Sequence, residues 1–162
     1  MNIRANLASV IIPNSQKAKT IFRLFISNIF ITYDTLLSEF DTVKANELMK
    51  IISEDLGKEA ANLLKNETKM ENGYSSAILS WKIGCKLLRF SIHTQKTKDG
   101  TYFYHDKDPL WEKFKLKNID LCYCVCLPMV TAIAKSFCSD CEVELSRKPT
   151  LESPCIKILK KK

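Results

Sequence analysis

Glycine and proline are scarce in this chain, which has only four glycines and five prolines among 162 residues. Because these residues interrupt helices and strands, their scarcity predicts short loops and extensive regular structure. The sequence also lacks a Gly-rich phosphate loop, a serine nucleophile elbow and an HExxH zinc motif. Each of these motifs carries a specific chemistry, so their absence argues against an enzyme and against a bound cofactor.

Long uninterrupted apolar runs are also missing. The two most apolar segments, 21–33 and 121–134, are shorter than the ~20 residues that a helix needs to cross a bilayer. The first residues lack the apolar core of a signal peptide. We therefore expect a cytoplasmic protein, at most peripheral to a membrane, in which the seven cysteines are reduced.

The composition is that of one globular domain over residues 1–162, with 46% apolar and 27% charged residues. A net charge of +7 favours anionic partners, although a solvated lysine-rich surface is the alternative. Aromatic residues do not interleave with the basic ones, which argues against nucleic acid. We expect the basic face to contact a peripheral anionic membrane.

Three helices are predicted in the first half of the chain, after an extended arm over residues 1–16. The first, 17–37, is apolar on most of its faces. The second begins near Asp41 and runs to about residue 66, and the third covers 75–85. The first helix is too apolar to stay exposed on a monomer. We therefore expect the first and second helices together to form an interface with other subunits. The candidate interface residues are Ile21, Leu24, Phe25, Ile29, Leu48 and Ile52.

The second helix carries an apolar stripe at i, i+4 spacing and one glycine. The stripe consists of Leu48, Ile52, Leu56, Ala60 and Leu64. Gly57 interrupts the helix at a cost of about 1 kcal/mol relative to alanine. A close crossing by another helix at this point would account for the glycine.

Strands alternate with one more helix in the second half. Period-two alternation predicts strands near 88–93, 102–105, 142–146 and 156–158, with a hairpin turn at 98–101 and a break at Asp108-Pro109. A buried helix is predicted within 119–137, starting close to Pro128 or a turn before it. The order α-α-α-β-β-α-β-β predicts an α+β fold with helices on one face of a small twisted antiparallel sheet.

Cysteines and histidines give the only signals for site chemistry. The cysteines occur at positions 85, 122, 124, 126, 138, 141 and 155. Three uses remain open for them: a tetrahedral zinc site, acylation by a fatty chain, and packing as small apolar side chains. His93 and His105 fall on adjacent predicted strands, where they could share a metal or occupy ordinary surface positions.

Several segments resemble the small subunits of the TRAPP (transport protein particle) complex. The run Asp108-Pro109-Leu110, followed by aromatic residues, is similar to the acidic-Pro-Leu segment that leaves the hairpin in that family. Leu56-Gly57 resembles the family's leucine-glycine second helix, and 121–134 resembles its buried helix. Within the family, the Val130-x-Ala132 pattern is most similar to subunit five.

The resemblance implies an α/β fold and a non-catalytic subunit that assembles with other TRAPP-like subunits through helical faces. It also implies vesicle tethering in ER-to-Golgi transport and support of nucleotide exchange on a Rab-type GTPase. The location would be cytoplasmic and peripheral at the Golgi and endoplasmic reticulum. One family member is acylated at the start of the buried helix, and Cys122 and Cys124 flank that position here. The family's glycines on that helix, which leave room for the acyl chain, are absent.

Two further groups share the general layout. The 4-vinyl-reductase-type domain holds a metal with a cysteine, an acidic residue and two later cysteines. Cys122, Glu144 and Cys155 occupy compatible positions, but Arg147 stands where another cysteine would be needed. Proteins similar to aminothiazoline-carboxylate hydrolases end in a comparable cysteine-containing strand and give the enzyme alternative.

Overall fold

Helices cover one face of a four-stranded antiparallel sheet, so the predicted α+β class is confirmed. This computed structural model describes residues 14–162. The strands are β1 (Ser91–Thr97), β2 (Gly100–Lys107), β3 (Cys141–Arg147) and β4 (Ile156–Lys161). They lie in the order β1-β2-β4-β3, which places the last strand in the middle of the sheet.

The three predicted helices of the first half are confirmed as α1 (Asn14–Glu39), α2 (Thr42–Thr68) and α3 (Tyr74–Leu87). Asp41 caps α2, because its side chain accepts a hydrogen bond from the backbone N–H of Lys44. Helix α1 begins before the predicted position, so the predicted extended arm is wrong for residues 14–16. The rest of that arm lies outside the described residues.

The hairpin between β1 and β2 is confirmed, and Gly100 is required for it. Its φ is +146°, and an added Cβ would lie 2.4 Å from the carbonyl oxygen of Leu159. The strand predicted over 88–93 is wrong for its first three residues. Arg89 has a left-handed φ of +58°, so the chain turns there and β1 begins only at Ser91.

A short helix, α4 (Pro109–Lys117), follows β2 where only a break was predicted. Asp108 caps it by accepting hydrogen bonds from the backbone N–H groups of Leu110 and Trp111. A proline in the first turn is favourable, because its missing N–H would have no helical partner there. The predicted element order is therefore corrected by one additional helix.

The buried helix predicted within 119–137 is confirmed, with an unusual start. A π-helical turn (Cys122–Cys126) leads into α5 (Leu127–Phe137). The N–H of Leu127 bonds to the carbonyl of Cys122, five residues earlier. Pro128 has no N–H and its ring collides with a carbonyl one turn back, which accounts for the local widening.

Helices α2 and α5 cross in close contact, as Gly57 predicted. A Cβ at Gly57 would lie 2.4 Å from the carbonyl oxygen of Met129 and 2.9 Å from the Cβ of Ala132. The face of α2 that is buried is composed mainly of small side chains: Ala45, Met49, Ser53, Gly57 and Ala61. The crossing therefore uses the side of α2 next to the apolar stripe, and not the stripe itself.

Two apolar clusters fill the space between helices and sheet. One joins α1 and α4 to the π-helical turn, with Phe30 and Phe114 in an edge-to-face contact at 5.6 Å between ring centroids. The other joins α3 and α5 to the sheet, where Trp81 stacks on Phe103 at 4.0 Å.

Candidate functional site

A buried lysine lies among cysteines on the helix side of the sheet. Lys157 of β4 has 1% of its surface exposed, and its Nζ donates to the Sγ of Cys155 at 2.7 Å. Burial opposes the charge on Lys157, but the surrounding sulfur atoms, first that of Cys155, hold its pKa above the ordinary value. A lysine is almost never fully buried unless it has partners of this kind.

Three thiols near Lys157, those of Cys122, Cys155 and Cys85, have raised pKa values. The pKa of Cys122 is raised, first by its hydrogen bond with Cys126 and then by burial. The pKa of Cys155 is raised in the same way, first by its hydrogen bond with Cys122 and then by burial. Burial raises the pKa of Cys85 to about 12. Because the thiolate is the nucleophile and the metal-binding form, these cysteines are not activated.

A buried carboxylate, that of Asp108, lies near the cluster. Burial opposes ionisation of Asp108, but His105, the N–H of Trp111 and the positive charge of Lys157 together lower its pKa. The Oδ2 of Asp108 lies 3.0 Å from the Nδ1 of His105, and both side chains are at most 3% exposed. The direct partner of the Asp108 carboxylate is therefore His105, and Lys157 is the smallest of these contributions.

The structure brings together part of the predicted cysteine chemistry and separates the rest. Cys122 and Cys155 meet, as the 4-vinyl-reductase-type layout requires, but Lys157 adds a positive charge among the expected ligands. Glu144 faces away from them and pairs with Lys160. This arrangement does not fit a zinc ion, because the acidic ligand is replaced by a cation.

Cys138 and Cys141 form a disulfide at the end of α5, so the expectation that all seven cysteines are reduced is wrong. With Asp140 they are the one grouping of metal-binding type among the described residues, but the bond engages both thiols. They lie in a different apolar cluster from Cys122 and Cys126. A zinc site that joins these two groups of cysteines, one of the uses left open by the sequence, is therefore not formed.

The two cysteines predicted as acylation or pocket residues are packing residues in the first apolar cluster. Cys122 contacts Cys155. The pKa of Cys124 is raised by burial and then by Asp120. Cys124 is not among the partners of Lys157. Cys85, and not Cys122 or Cys124, lines the open apolar groove that α2, α3 and α5 form at the surface.

The two histidines do not form a pair. His93 stacks on Tyr104 at 4.7 Å and its Nδ1 lies 2.8 Å from Asp106, at the surface. His105 is buried beside Asp108. Neighbouring positions on paired strands alternate between the two faces of the sheet, which separates these rings.

The family-like run Asp108-Pro109-Leu110 has a structural role. Asp108 caps α4, Pro109 opens it, and Leu110 is fully buried in the first apolar cluster. The Nε1 of Trp111 then donates to the carbonyl of Thr150, which ties α4 to the loop before β4.

The surface carries an open apolar groove of about 530 Å³. Its walls come from α2, α3 and α5, with Phe25 of α1 at one end. Leu56, Leu63 and Leu87 line it while remaining 43–69% exposed. Single exposed leucines are ordinary, but a continuous apolar groove of this size marks an interaction site.

Helix α1 carries further exposed apolar side chains. Ile21 and Leu24 are 67% and 64% exposed, and Phe25 is half-buried. Leu48 and Ile52 of α2 are also half-buried. Ile29 is the exception: it is 3% exposed in the first apolar cluster, so its assignment to a subunit interface is wrong. Ile29 lies on the side of α1 that packs on the chain's own core.

Lys19–Glu39 of α1 is also, within the described part of the chain, the one helix long and apolar enough to cross a membrane. This corrects the sequence expectation, since the apolar stretch continues past residue 33. Core helices of soluble proteins and signal sequences have the same length and composition, so the finding does not by itself indicate a membrane span.

Sequence reasoning found the apolar stripe from Leu48 to Leu64 and placed an interface at Leu48 and Ile52, but it did not indicate that Leu56 and Leu64 line a groove with α3 and α5. The buried positions lie one residue further along, at Met49, Ser53 and Gly57. Small residues are a weak hydrophobic signal, but they permit the close crossing that α5 requires. Gly57 was the available clue to this choice of face.

Comparisons of the chain with protein-family models, with curated proteins and with solved structures gave no match.

Proposed function

We propose that this chain is a non-catalytic assembly subunit of a TRAPP-like vesicle-tethering complex in ER-to-Golgi transport. It binds other subunits through its apolar groove and supports Rab-type nucleotide exchange through assembly. It works in the cytoplasm, peripherally at the Golgi and endoplasmic reticulum membranes. The observation that carries the assembly role is the apolar groove, which has Phe25 of α1 at one end.

Area and chemistry both favour a protein partner for this surface. A stable interface buries on the order of 1,600 Å² in total, and α1 together with the rims of α2 and α3 can supply one side of it. Glu59 and Glu67 stand at the rim of an otherwise apolar groove. An apolar centre with a polar rim is the usual anatomy of a protein–protein interface.

The thiol cluster supports a scaffold more than a catalyst. Its cysteines are buried, the pKa values of Cys122 and Cys155 are raised, and its lysine donates to Cys155. A catalytic cysteine needs an exposed, low-pKa thiol, which is the opposite arrangement.

The test replaces leucines in the groove by glutamate. Purified alone, the wild-type chain should self-associate, as measured by light scattering after size-exclusion chromatography. Leu63→Glu with Leu87→Glu should give a monomer and abolish co-purification of partner subunits from the native source, because charges would be buried without partners.

The matched control is Leu116→Glu with Leu151→Glu. These leucines are 78% and 69% exposed and do not line the groove. The control should assemble like wild type. A wild-type chain that stays monomeric at high concentration, or a groove variant that still captures the same subunits, would contradict the proposal.

A further inference from the structure

Lys157 and Cys155 are in direct contact inside the core. The Nζ of Lys157 and the Sγ of Cys155 are 2.7 Å apart. Cys155 is fully buried and Lys157 is 1% exposed. This separation lies at the short limit even for an N–H···O hydrogen bond, and sulfur is a larger atom than oxygen. It is the separation that one bridging oxygen atom between nitrogen and sulfur would span.

The ammonium group of Lys157 has no stronger partner within residues 14–162. Its Nζ donates to Cys155 and forms no ion pair there. The buried carboxylate of Asp108 bonds to His105 instead. An ammonium group has three N–H donors, and a thiol is a weak acceptor. Because burying a charge without good partners is costly, a reaction that removes the charge from this nitrogen would be favoured.

Further thiols surround the pair. Cys122 of the π-helical turn is hydrogen-bonded to Cys155, and Cys126 is hydrogen-bonded to Cys122. Both residues are buried. The nitrogen of Lys157 is therefore enclosed by sulfur and apolar side chains, and the reaction open to it is with the sulfur atom that it touches.

A small apolar oxidant has a route toward this cluster. Cys85, whose thiol is close enough to be affected by the charge of Lys157, lines the open apolar groove. Apolar spaces in proteins take up small apolar molecules, and dioxygen is of this kind. A bulky charged thiol reagent has no such route, so protection of the thiols from reagents and reaction with dioxygen are compatible.

We propose that Lys157 and Cys155 form a covalent modification site, at which dioxygen converts their contact into a nitrogen–oxygen–sulfur bridge. The ammonium group first gives up its proton to solvent. One N–H bond of the amine and the S–H bond of the thiol then break, and an N–O and an O–S bond form. Nitrogen and sulfur each give up two electrons to dioxygen. One of its atoms becomes the bridge, and the other leaves as water with the two hydrogens.

The product removes the buried charge. A nitrogen that carries oxygen is a weak base, so the bridged side chain is neutral at physiological pH. A disulfide between Cys122 and Cys155 would instead leave the ammonium group of Lys157 buried beside a poorer acceptor. The bridge is a single modification and not a turnover, so the inference goes beyond the proposed assembly role and does not rest on it.

The experiment compares the full chain purified under air with the chain purified under nitrogen, both without reductant. The bridge adds one oxygen and removes two hydrogens, so mass spectrometry should show a gain of about 14 Da under air alone. Trypsin should leave the bridged chain uncut after Lys157, and fragmentation should place the gain between Cys155 and Lys157. Dithiothreitol should remove it, because the thiol, the amine and water are regenerated.

Two variants remove the site and one serves as the matched control. Cys155→Ser and Lys157→Met should each abolish the gain of about 14 Da. Cys85→Ser also removes a buried thiol but leaves the pair intact, so it should keep the gain. The comparison of wild type under air and under nitrogen needs no variant, and it tests the proposal even where a substitution prevents folding.

Other oxidation products have different masses and would overturn the proposal. A loss of two hydrogens that links Cys122 to Cys155 would show a disulfide, and a gain of one or two oxygens on Cys155 would show a sulfenic or sulfinic acid. Methylation of Lys157 adds nearly the same mass as the bridge, but dithiothreitol does not reverse it. A gain that persists in dithiothreitol, or an unchanged mass under air, would likewise overturn the assignment.

Discussion

At the scale of single residues, the buried carboxylate of Asp108 is the feature with the largest consequence. Lys157 and Asp108 come from β4 and from the cap of α4, and each lies in the core. A buried charge is tolerated when an opposite charge and hydrogen bonds compensate it. Removing one partner alone is therefore costly, even where replacing the whole group would not be.

Asp108→Asn should lower the free energy of unfolding by about 3–5 kcal/mol at neutral pH. Asparagine still caps α4, so the loss reports mainly on the missing charge beside His105 and Lys157. Because the pKa of Asp108 is lowered by folding, its contribution is present above the ordinary carboxyl pKa and is lost as pH falls below it.

Urea denaturation from neutral pH into the acid range measures this difference. Stability of the wild type should fall more steeply below about pH 4 than stability of Asp108→Asn. If the stability of both proteins falls with pH in parallel, protonation of Asp108 does not contribute to acid unfolding as proposed.

At the scale of secondary structure, the crossing of α2 and α5 decides which surface is left for partners. Because small residues of α2 face α5, the larger apolar residues of α2 remain beside the crossing. Leu56 and Leu63 then line the apolar groove together with residues of α3. The close packing at Gly57 and the exposed groove are two results of one helix orientation.

Gly57→Ala should therefore destabilise the fold by about 1–3 kcal/mol, although alanine favours helices. Its Cβ would meet the carbonyl oxygen of Met129 at 2.4 Å, and a backbone atom cannot easily move away. Thermal or urea unfolding measures the change.

Gly84→Ala is the matched control, since Gly84 is also helical but its added Cβ meets nothing within 4 Å. It should stabilise the chain by about 0.5–1 kcal/mol. Stabilisation by Gly57→Ala to the same extent would show that the helices do not cross closely at this point.

At the scale of the whole molecule, the fold encloses its free thiols. Cys85, Cys122, Cys124, Cys126 and Cys155 are free and buried, and Cys138 and Cys141 are joined. A fold that seals its thiols while leaving an apolar groove open fits a binding role better than thiol chemistry.

The five free thiols should react with Ellman's reagent at least about a thousandfold more slowly in the native protein than in urea, because reaction requires opening of the core. The high pKa of Cys85, about 12, slows that residue further. The Cys138→Ser, Cys141→Ser variant controls for thiols released from the disulfide. Rapid labelling of one native thiol would contradict this and revive a reactive-cysteine function.

Much of the secondary structure was predictable because its signals are local. The helical period over α1 and α2, the alternation in β3 and the hairpin at Gly100 each depend on neighbours a few residues away. Helix α4 was missed although its signal was present, since Asp108-Pro109 is both a strand end and a helix start. The apolar groove was not predictable, because its residues come from four separate helices and the turn after α3.

The sequence alone determined the α+β class, the chain positions of most helices and strands, and the need for a close contact at Gly57. Only the tertiary structure decided which face of α2 is buried, that Lys157 joins Cys122 and Cys155, and that Cys138 bonds to Cys141. The physical reason is the distance along the chain between the residues that interact. Periodicity reports how a segment relates to its own axis, whereas burial and charge pairing depend on which distant segments pack against it.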